Sequence, residues 1–166
     1  MASSSSLDLD RDPCAIIAVR ELEAPRELVF AVWTDPEHLA QWWGPLGFTT
    51  TTSAFDLREG GVWRFVMHGP DGRDYQNRIT FEEILPPQRL RYYHGGADDL
   101  EPVQFRTTVT FEDLGQGRTR LTLHAVFPSA AARERVIKAY RADQGALETL
   151  SRLAQHLAAH LASVSP

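Results

Sequence analysis

The chain has 166 residues, 43% of them hydrophobic, which fits one domain with a single core. The formal net charge is −5 at pH 7, and Lys and Arg are scattered among Asp and Glu, which argues against a nucleic-acid partner. The single cysteine, Cys14, excludes an intrachain disulfide and gives no sign of an oxidising compartment.

The N-terminal segment 1–13 is polar and lacks the basic start and apolar centre of a signal peptide. We expect it to be a disordered tail. No apolar run approaches the roughly 20 residues that a membrane span needs. The sequence therefore predicts a cytoplasmic protein, with one domain at residues 14–162 and a short tail at 163–166.

The domain begins with a strand and two short helices. Residues 14–22 are rich in β-branched side chains, which favours a strand. Pro25 suits the first turn of a helix that would run to Trp33. Asp35, followed by Pro36, predicts the start of a second helix, which Gly44-Pro45 would end.

From Thr49 onward, apolar and polar residues alternate, and turn residues recur about every ten positions. This pattern is typical of an antiparallel meander with one apolar face. An acidic loop with Asp98, Asp99 and Glu101 interrupts it. The predicted strands, which bring the total to about seven, are 50–57, 62–68, 75–85, 90–94, 103–112 and 121–127.

The C-terminal segment 129–162 predicts a long helix with one apolar stripe. Asp143 occupies the position where the stripe lacks an apolar residue. A straight helix of this length would measure about 50 Å, more than the roughly 40 Å expected across the domain. We therefore expect a break or bend near Gly145.

These elements predict an α+β fold in which a curved antiparallel sheet wraps the long C-terminal helix. The two short helices follow the first strand. A strongly twisted sheet of seven strands curls, and a straight helix across it leaves a hollow. Such a hollow is where a ligand would bind.

Several motifs resemble the START/Bet v-like (SRPBCC) superfamily. They are the run APRELVFAVWTDPEHLAQWWGP at 24–45, FDLREGGVWRFVMHGPDG at 55–72, NRITFEEI at 77–84 and VFPS at 126–129. The chain is most similar to the bacterial branch related to the C-terminal domain of the heat-shock-protein-90 ATPase activator. The resemblance implies a helix-grip fold with an internal cavity. It implies no single activity, because relatives include lipid carriers, hormone receptors, polyketide cyclases and co-chaperones.

We expect the cavity to have an apolar wall and a few polar groups. Asp143 is predicted to face it, or alternatively to lie in the kink and point to water. His94 is predicted to join Tyr75 and Asn77 in a polar cluster, although His94 could instead cap a turn, and Tyr75 and Asn77 could form hydrogen bonds near the hairpin. The predicted ligand-binding residues are Trp63, Phe65, Met67, Tyr75, Asn77, Ile79, Tyr92, His94, Phe105, Val109, Asp143, Leu147 and Leu150.

His156 and His160 are one helical turn apart, a spacing that can chelate a metal. No third ligand is evident in the sequence, and His near a helix C-terminus is favourable without a metal. We therefore predict neither a metal site nor a cofactor.

The preferred interpretation is a binding domain for a small apolar or aromatic molecule rather than an enzyme. The alternative is a cyclase- or hydrolase-like enzyme that uses Asp143 or His94 as acid or base in the same cavity. A co-chaperone role with a chaperone partner rests on the resemblance only, and it ranks last because the relative's action involves a second domain that this sequence lacks. The polar strand faces could contact water or another subunit, which leaves a homodimer open.

Overall fold

A computed structural model describes residues 5–96 and 103–164. The predicted acidic loop with Asp98, Asp99 and Glu101 lies outside these residues. The described elements, in chain order, are β1 (Ser5–Asp8), β2 (Ala15–Leu22), α1 (Arg26–Trp33), α2 (Pro36–Trp42), β3 (Thr49–Phe55), β4 (Val62–His68), β5 (Asp74–Leu85), β6 (Arg89–His94), β7 (Phe105–Gly115), β8 (Arg118–Val126), α3 (Ala130–Tyr140) and α4 (Ala142–Val164).

The strands form one antiparallel sheet in the order β1-β2-β8-β7-β6-β5-β4-β3. This confirms the predicted α+β fold with a curved sheet and C-terminal helices, and it corrects the strand count from about seven to eight. The C-terminal helix also extends to Val164, into the segment predicted as a tail.

The additional strand, β1, lies in the segment that was predicted to be a disordered tail. That prediction is wrong for Ser5–Asp8, which pairs with β2 along its whole length. Leu7 packs against the core, and the buried Arg133 of α3 donates to the backbone carbonyls of Leu9 and Ala15 at 2.6 and 3.0 Å. These contacts come from the far end of the chain, so local composition could not reveal them.

The two short helices form as predicted, and their tryptophans fill one end of the sheet. The Asp35 side chain accepts a hydrogen bond from the Glu37 backbone N–H at 2.9 Å, which caps α2. Trp33 and Trp42 pack edge to face with ring centroids 4.9 Å apart. Trp43 contacts Trp63 of β4 at the same centroid distance. This aromatic cluster closes one end of the space beneath the helices.

The C-terminal segment is two helices, with the break at Arg141 rather than near Gly145. Arg141 adopts a left-handed conformation (φ 53°, ψ 45°), and its N–H bonds the Ile137 carbonyl to cap α3. Gly145 lies inside α4 and is buried. A Cβ built there would lie 3.3 Å from Pro45 Cγ, so Gly145 permits a close approach of the Pro45 loop instead of ending the helix.

The helix α4 covers the sheet through Leu150, Leu153 and Leu157, all of which are buried in the main core. A smaller apolar cluster of Ile16, Ala125 and Phe127 lies beneath α3. In the described part of the chain, no helix has the combination of length and apolarity that a membrane crossing requires.

Candidate functional site

A cavity of about 420 Å³ lies between the inner face of the sheet and the joint of α3 and α4. Its wall is mostly apolar, and the cavity is partly open to solvent. It separates the main core from the smaller cluster beneath α3. The hollow that the helix and sheet geometry predicted is therefore present.

Five adjacent strands, β4 to β8, supply most of the floor of the cavity, and Ile16 of the neighbouring β2 adds to its edge. Each strand contributes alternate residues of its inner face, as the twofold period of a strand requires. The side chains are Met67 of β4, Tyr75 and Asn77 of β5, Tyr92 and His94 of β6, Phe105 and Thr107 of β7, and Leu123 and Ala125 of β8.

His94 and Asn77 form a hydrogen-bonded pair on this floor. His94 Nε2 lies 2.7 Å from Asn77 Oδ1, and Asn77 Nδ2 donates to the Tyr75 carbonyl at 2.8 Å. The His94 ring stacks on Phe105 with centroids 4.6 Å apart. Burial, which removes water from around the ring, lowers the pKa of His94 to about 4. The imidazole is therefore neutral at pH 7.

Tyr92 and Thr107 form a second polar pair, opposite each other in the β6–β7 register. Both are buried, at 3% and 1% exposure. Burial raises the pKa of the Tyr92 phenol, and the nearby Thr107 hydroxyl offsets part of that effect. Thr107 Oγ1 itself is buried and has no hydrogen-bond partner among the described residues.

The helical side of the cavity is made by small residues. Ala142, Gly145, Ala146 and Thr149 line it at the i, i+3, i+4 and i+7 positions of one face of α4. Their short side chains leave the space open. Tyr140 and Arg141, both exposed at the joint of α3 and α4, also border the cavity.

The loop at 43–48 forms one edge of the cavity, and Arg152 of α4 holds it. Arg152 Nη1 donates to the carbonyls of Trp43, Gly44, Pro45 and Phe48 at 3.0–3.3 Å. The Glu148 carboxylate also accepts from the Leu46 N–H at 3.2 Å. Burial lowers the pKa of Arg152 from its ordinary value, but a guanidinium remains charged at neutral pH. The cavity edge is thus fastened to the helix that covers it.

The predicted ligand-site residues divide into two groups. Those that line the cavity are Met67, Tyr75, Asn77, Tyr92, His94 and Phe105. The structure places Trp63, Phe65, Ile79, Val109 and Leu150 in the packed core, with Leu147 half-buried against it. These residues share the correct face of their elements, but other side chains cover them.

Asp143 lies outside the cavity wall, half-buried in the first turn of α4. The prediction that Asp143 faces the cavity assumed an unbroken helix from Tyr140 to Leu147. The left-handed Arg141 resets that phase, so Ala142 and Ala146 face the cavity instead. Among the described residues, no carboxylate lines the cavity beside His94, so the structure does not bring Asp143 and His94 together there.

His156 and His160 have a neighbour that the sequence did not indicate. His38 Nδ1 of α2 lies 2.8 Å from His156 Nε2, and the His38 and His160 ring centroids are 5.3 Å apart. This contact joins α2 to α4. Within residues 5–96 and 103–164, no group of three or more His, Cys, Asp or Glu residues has an arrangement that could hold a metal ion.

Several cavity residues were missed from sequence. Thr107 carried a usable signal, because it is a hydroxyl in the otherwise apolar series of Phe105 and Val109. The row of small residues on α4 could be recognised only once the phase of that helix was known. The 43–48 loop had no periodicity to indicate where it folds.

Comparisons with known proteins agree with this geometry. A solution NMR structure of a protein from Arthrobacter aurescens is 28% identical and superimposes with a TM-score of 0.84, over 92% of this chain and 91% of that one. A crystal structure of a protein from Mycobacterium smegmatis is 25% identical, with a TM-score of 0.79 over 99% and 100% of the two chains. No curated protein matches the sequence significantly.

A further solved structure carries a family name. The crystal structure of the AHSA1 protein from Silicibacter pomeroyi is 25% identical, with a TM-score of 0.72 over 88% of this chain and 99% of that one. Residues 23–158 of this chain match the family described as activator of Hsp90 ATPase homolog 1-like protein. That match spans the two short helices, the meander and most of α4, so the chain belongs to the activator of Hsp90 ATPase homolog 1-like family, with a fold consistent with the SRPBCC superfamily.

Proposed function

We propose that the protein is a binding domain that holds a small apolar or aromatic molecule in the cavity between the sheet and the C-terminal helices. The observation that carries this proposal is an apolar cavity of about 420 Å³ whose floor contains five polar side chains. This combination is typical of ligand sites, where apolar surface gives affinity and a few polar groups fix orientation.

The packing around the cavity supports the proposal. The small residues of α4 and the left-handed turn at Arg141 keep the space open, and Arg152 holds the 43–48 loop at its edge. Aromatic rings are available to contact a flat molecule, namely Trp43, Phe48, Tyr75, Tyr92 and Phe105.

Native mass spectrometry of the full chain, purified without detergent, tests the proposal first, by looking for a copurified small molecule. A titration with the neutral fluorescent dye N-phenyl-1-naphthylamine tests it second. We expect saturable binding with a stoichiometry of one.

A matched pair of variants ties the binding to the cavity. Ala146→Trp would fill it from α4, whereas Ala158→Trp places the same ring on an exposed position of the same helix. We expect the first variant to lose dye binding and the second to retain it. Absence of any copurified molecule together with absence of saturable dye binding would overturn the proposal, as would equal binding by the two variants.

A further inference from the structure

The polar groups on the cavity floor have a defined hydrogen-bonding direction. The Tyr75 carbonyl can only accept, so the Asn77 amide must turn its Nδ2 toward it and its Oδ1 toward His94. The hydrogen between Asn77 Oδ1 and His94 Nε2 must then belong to His94. Asn77 thereby fixes the imidazole tautomer.

The second nitrogen of His94 is consequently an acceptor. A neutral imidazole protonated at Nε2 has a bare lone pair at Nδ1. The His94 side chain makes no hydrogen bond besides the one to Asn77 within the described part of the chain. Since His94 lines the cavity, Nδ1 is the polar atom it can offer to an occupant.

Thr107 supplies an independent observation. Its Oγ1 is buried at the cavity floor, with the residue 1% exposed, and it has no hydrogen-bond partner among the described residues. A buried hydroxyl without a partner is costly and rare in native proteins. The hydroxyl of a bound molecule can accept a hydrogen bond from Thr107 Oγ1 and donate one to His94 Nδ1 at the same time.

The neutral side chains around His94 and Thr107 disfavour an anionic head group at this end of the cavity. The polar side chains of the floor are the neutral Tyr75, Asn77, Tyr92, His94 and Thr107. Arg141 borders the cavity from the exposed joint of the helices, on the opposite side from the sheet. The Arg73 guanidinium lies 4.5 Å from the centroid of the Tyr75 ring, but no cation is among the floor residues that the structure describes, so a carboxylate beside His94 and Thr107 would meet only neutral side chains. Burial of an unpaired charge is strongly unfavourable.

Building on the proposed function, we propose that the cavity selects neutral aromatic molecules that carry a hydroxyl group, of the phenol class. The hydroxyl donates to His94 Nδ1 and accepts from Thr107 Oγ1, while the ring lies between the apolar side chains of the floor and α4. Ethers and carboxylates of the same ring system bind more weakly, because the former lack the proton and the latter bring an unpaired charge.

Three naphthalenes that share a ring system but differ in the polar group test this selectivity. They are 2-naphthol, 2-methoxynaphthalene and 2-naphthoate, titrated at pH 7 by intrinsic fluorescence or calorimetry. We expect 2-naphthol to bind about tenfold more tightly than the ether, a typical value for a hydrogen bond that is lost in a buried site. The naphthoate should bind more weakly still.

Two substitutions of His94 separate its hydrogen bonding from its shape. His94→Phe keeps a ring against Phe105 but removes both nitrogens, and it should abolish the preference for naphthol over the ether. His94→Gln keeps a donor for Asn77 and an acceptor for the cavity, and it should restore part of the preference. A purely structural role of His94 would not distinguish the two probes.

Thr107→Val provides a second test of the preference for naphthol over the ether if the His94 variants do not fold. Val has a similar shape and no hydroxyl, so the free protein should be as stable as the native one or slightly more stable. The naphthol preference should nevertheless fall about threefold. A loss of stability with an unchanged preference would contradict the assignment of Thr107.

The outcomes distinguish the selectivity from the proposed function. Equal and tight binding of the naphthol and the ether to the native protein would overturn the selectivity and leave the binding function intact. Binding of none of the three probes would count against both. A naphthol preference that persists in His94→Phe and in Thr107→Val would also overturn the selectivity, because it would place the hydroxyl elsewhere.

Discussion

On β5, β6 and β7 the same inward face passes from a close-packed half to a half that borders the cavity. In the packed half, these strands present Ile79 and Phe81, Leu90, and Val109 and Phe111, all of them buried in the main core. In the cavity half, they present Tyr75 and Asn77, Tyr92 and His94, and Phe105 and Thr107. Strand periodicity is identical in the two halves, so what lies opposite them must make the difference.

The covering elements explain the contrast. Trp33 of α1 and Trp42 of α2 fill the packed end with large rings, and Trp43, directly after α2, packs against both of them and also lines the cavity. The other end is covered by the joint of α3 and α4, where Ala142, Gly145 and Ala146 contribute little volume. One end therefore stabilises the fold, and the other provides space for a ligand. This difference predicts that matched substitutions in the two halves will have unequal effects.

The largest effect is expected for truncation in the packed half. Leu121 and Leu123 lie two residues apart on the inner face of β8, the first fully buried and the second half-buried at the cavity. Leu121→Ala should lower the free energy of unfolding by about 3–4 kcal/mol, and Leu123→Ala by about 1 kcal/mol, because the space beside Leu123 already exists. Urea denaturation measures both. Equal costs would mean that the two halves are packed alike.

Acid should weaken the cavity half through His94. The pKa of His94 is about 4 in the folded protein, against an ordinary value of 6.5, so the unfolded chain binds a proton that the folded chain does not. Stability is therefore complete above pH 6.5 and falls as the pH decreases toward 4, by about 2–3 kcal/mol. His94→Gln should remove this contribution. The decisive quantity is the difference between wild type and variant at pH 7 and at pH 4, because the carboxylate contributions cancel in it, and a constant difference would argue against a buried neutral imidazole.

Enlargement of small residues should show the same asymmetry. Ala18 is fully buried in the main core, whereas Ala125 lines the cavity. Ala18→Leu should cost about 2 kcal/mol through overpacking, and Ala125→Leu should be nearly neutral, since its added methyls extend into existing space. Thermal unfolding of the two variants compares them directly. A large cost at Ala125 would show that the cavity is smaller in solution.

The smallest effect concerns the edge of the cavity. Arg152→Met removes the hydrogen bonds to the carbonyls of the 43–48 loop, and amide hydrogen exchange in that loop should accelerate about tenfold. Arg135→Met, at an exposed position of α3, serves as the control. Exchange that is unchanged in Arg152→Met would mean that Gly145 and Glu148 suffice to hold the loop.

Much of the fold could be predicted from local pattern. Alternation placed the strands of the meander and assigned Tyr75, Asn77, Tyr92 and His94 to the inner face, where the structure has them. Asp35 and Pro36 marked the start of α2 correctly. These features depend on interactions between residues that are close in the sequence, so the local sequence is sufficient to predict them.

Contacts between distant segments decided the rest. Arg133 holds the N-terminal segment through the Leu9 carbonyl, from 124 residues away, and β1 could not be recognised without such a contact. Arg141 adopts a left-handed conformation although it is not glycine, so its residue type does not predict a helix break. That break rotated Asp143 away from the cavity and brought the small residues of α4 to face it.

The sequence by itself determined the order of the elements, the apolar face of the sheet and the polar residues on it. Only the tertiary structure decided which half of that face would be covered by tryptophans and which by alanine and glycine. The reason is physical. The alternation along a strand specifies the face of the sheet to which each side chain points, whereas the free volume above that face depends on the summed size of side chains from elements far apart in the chain.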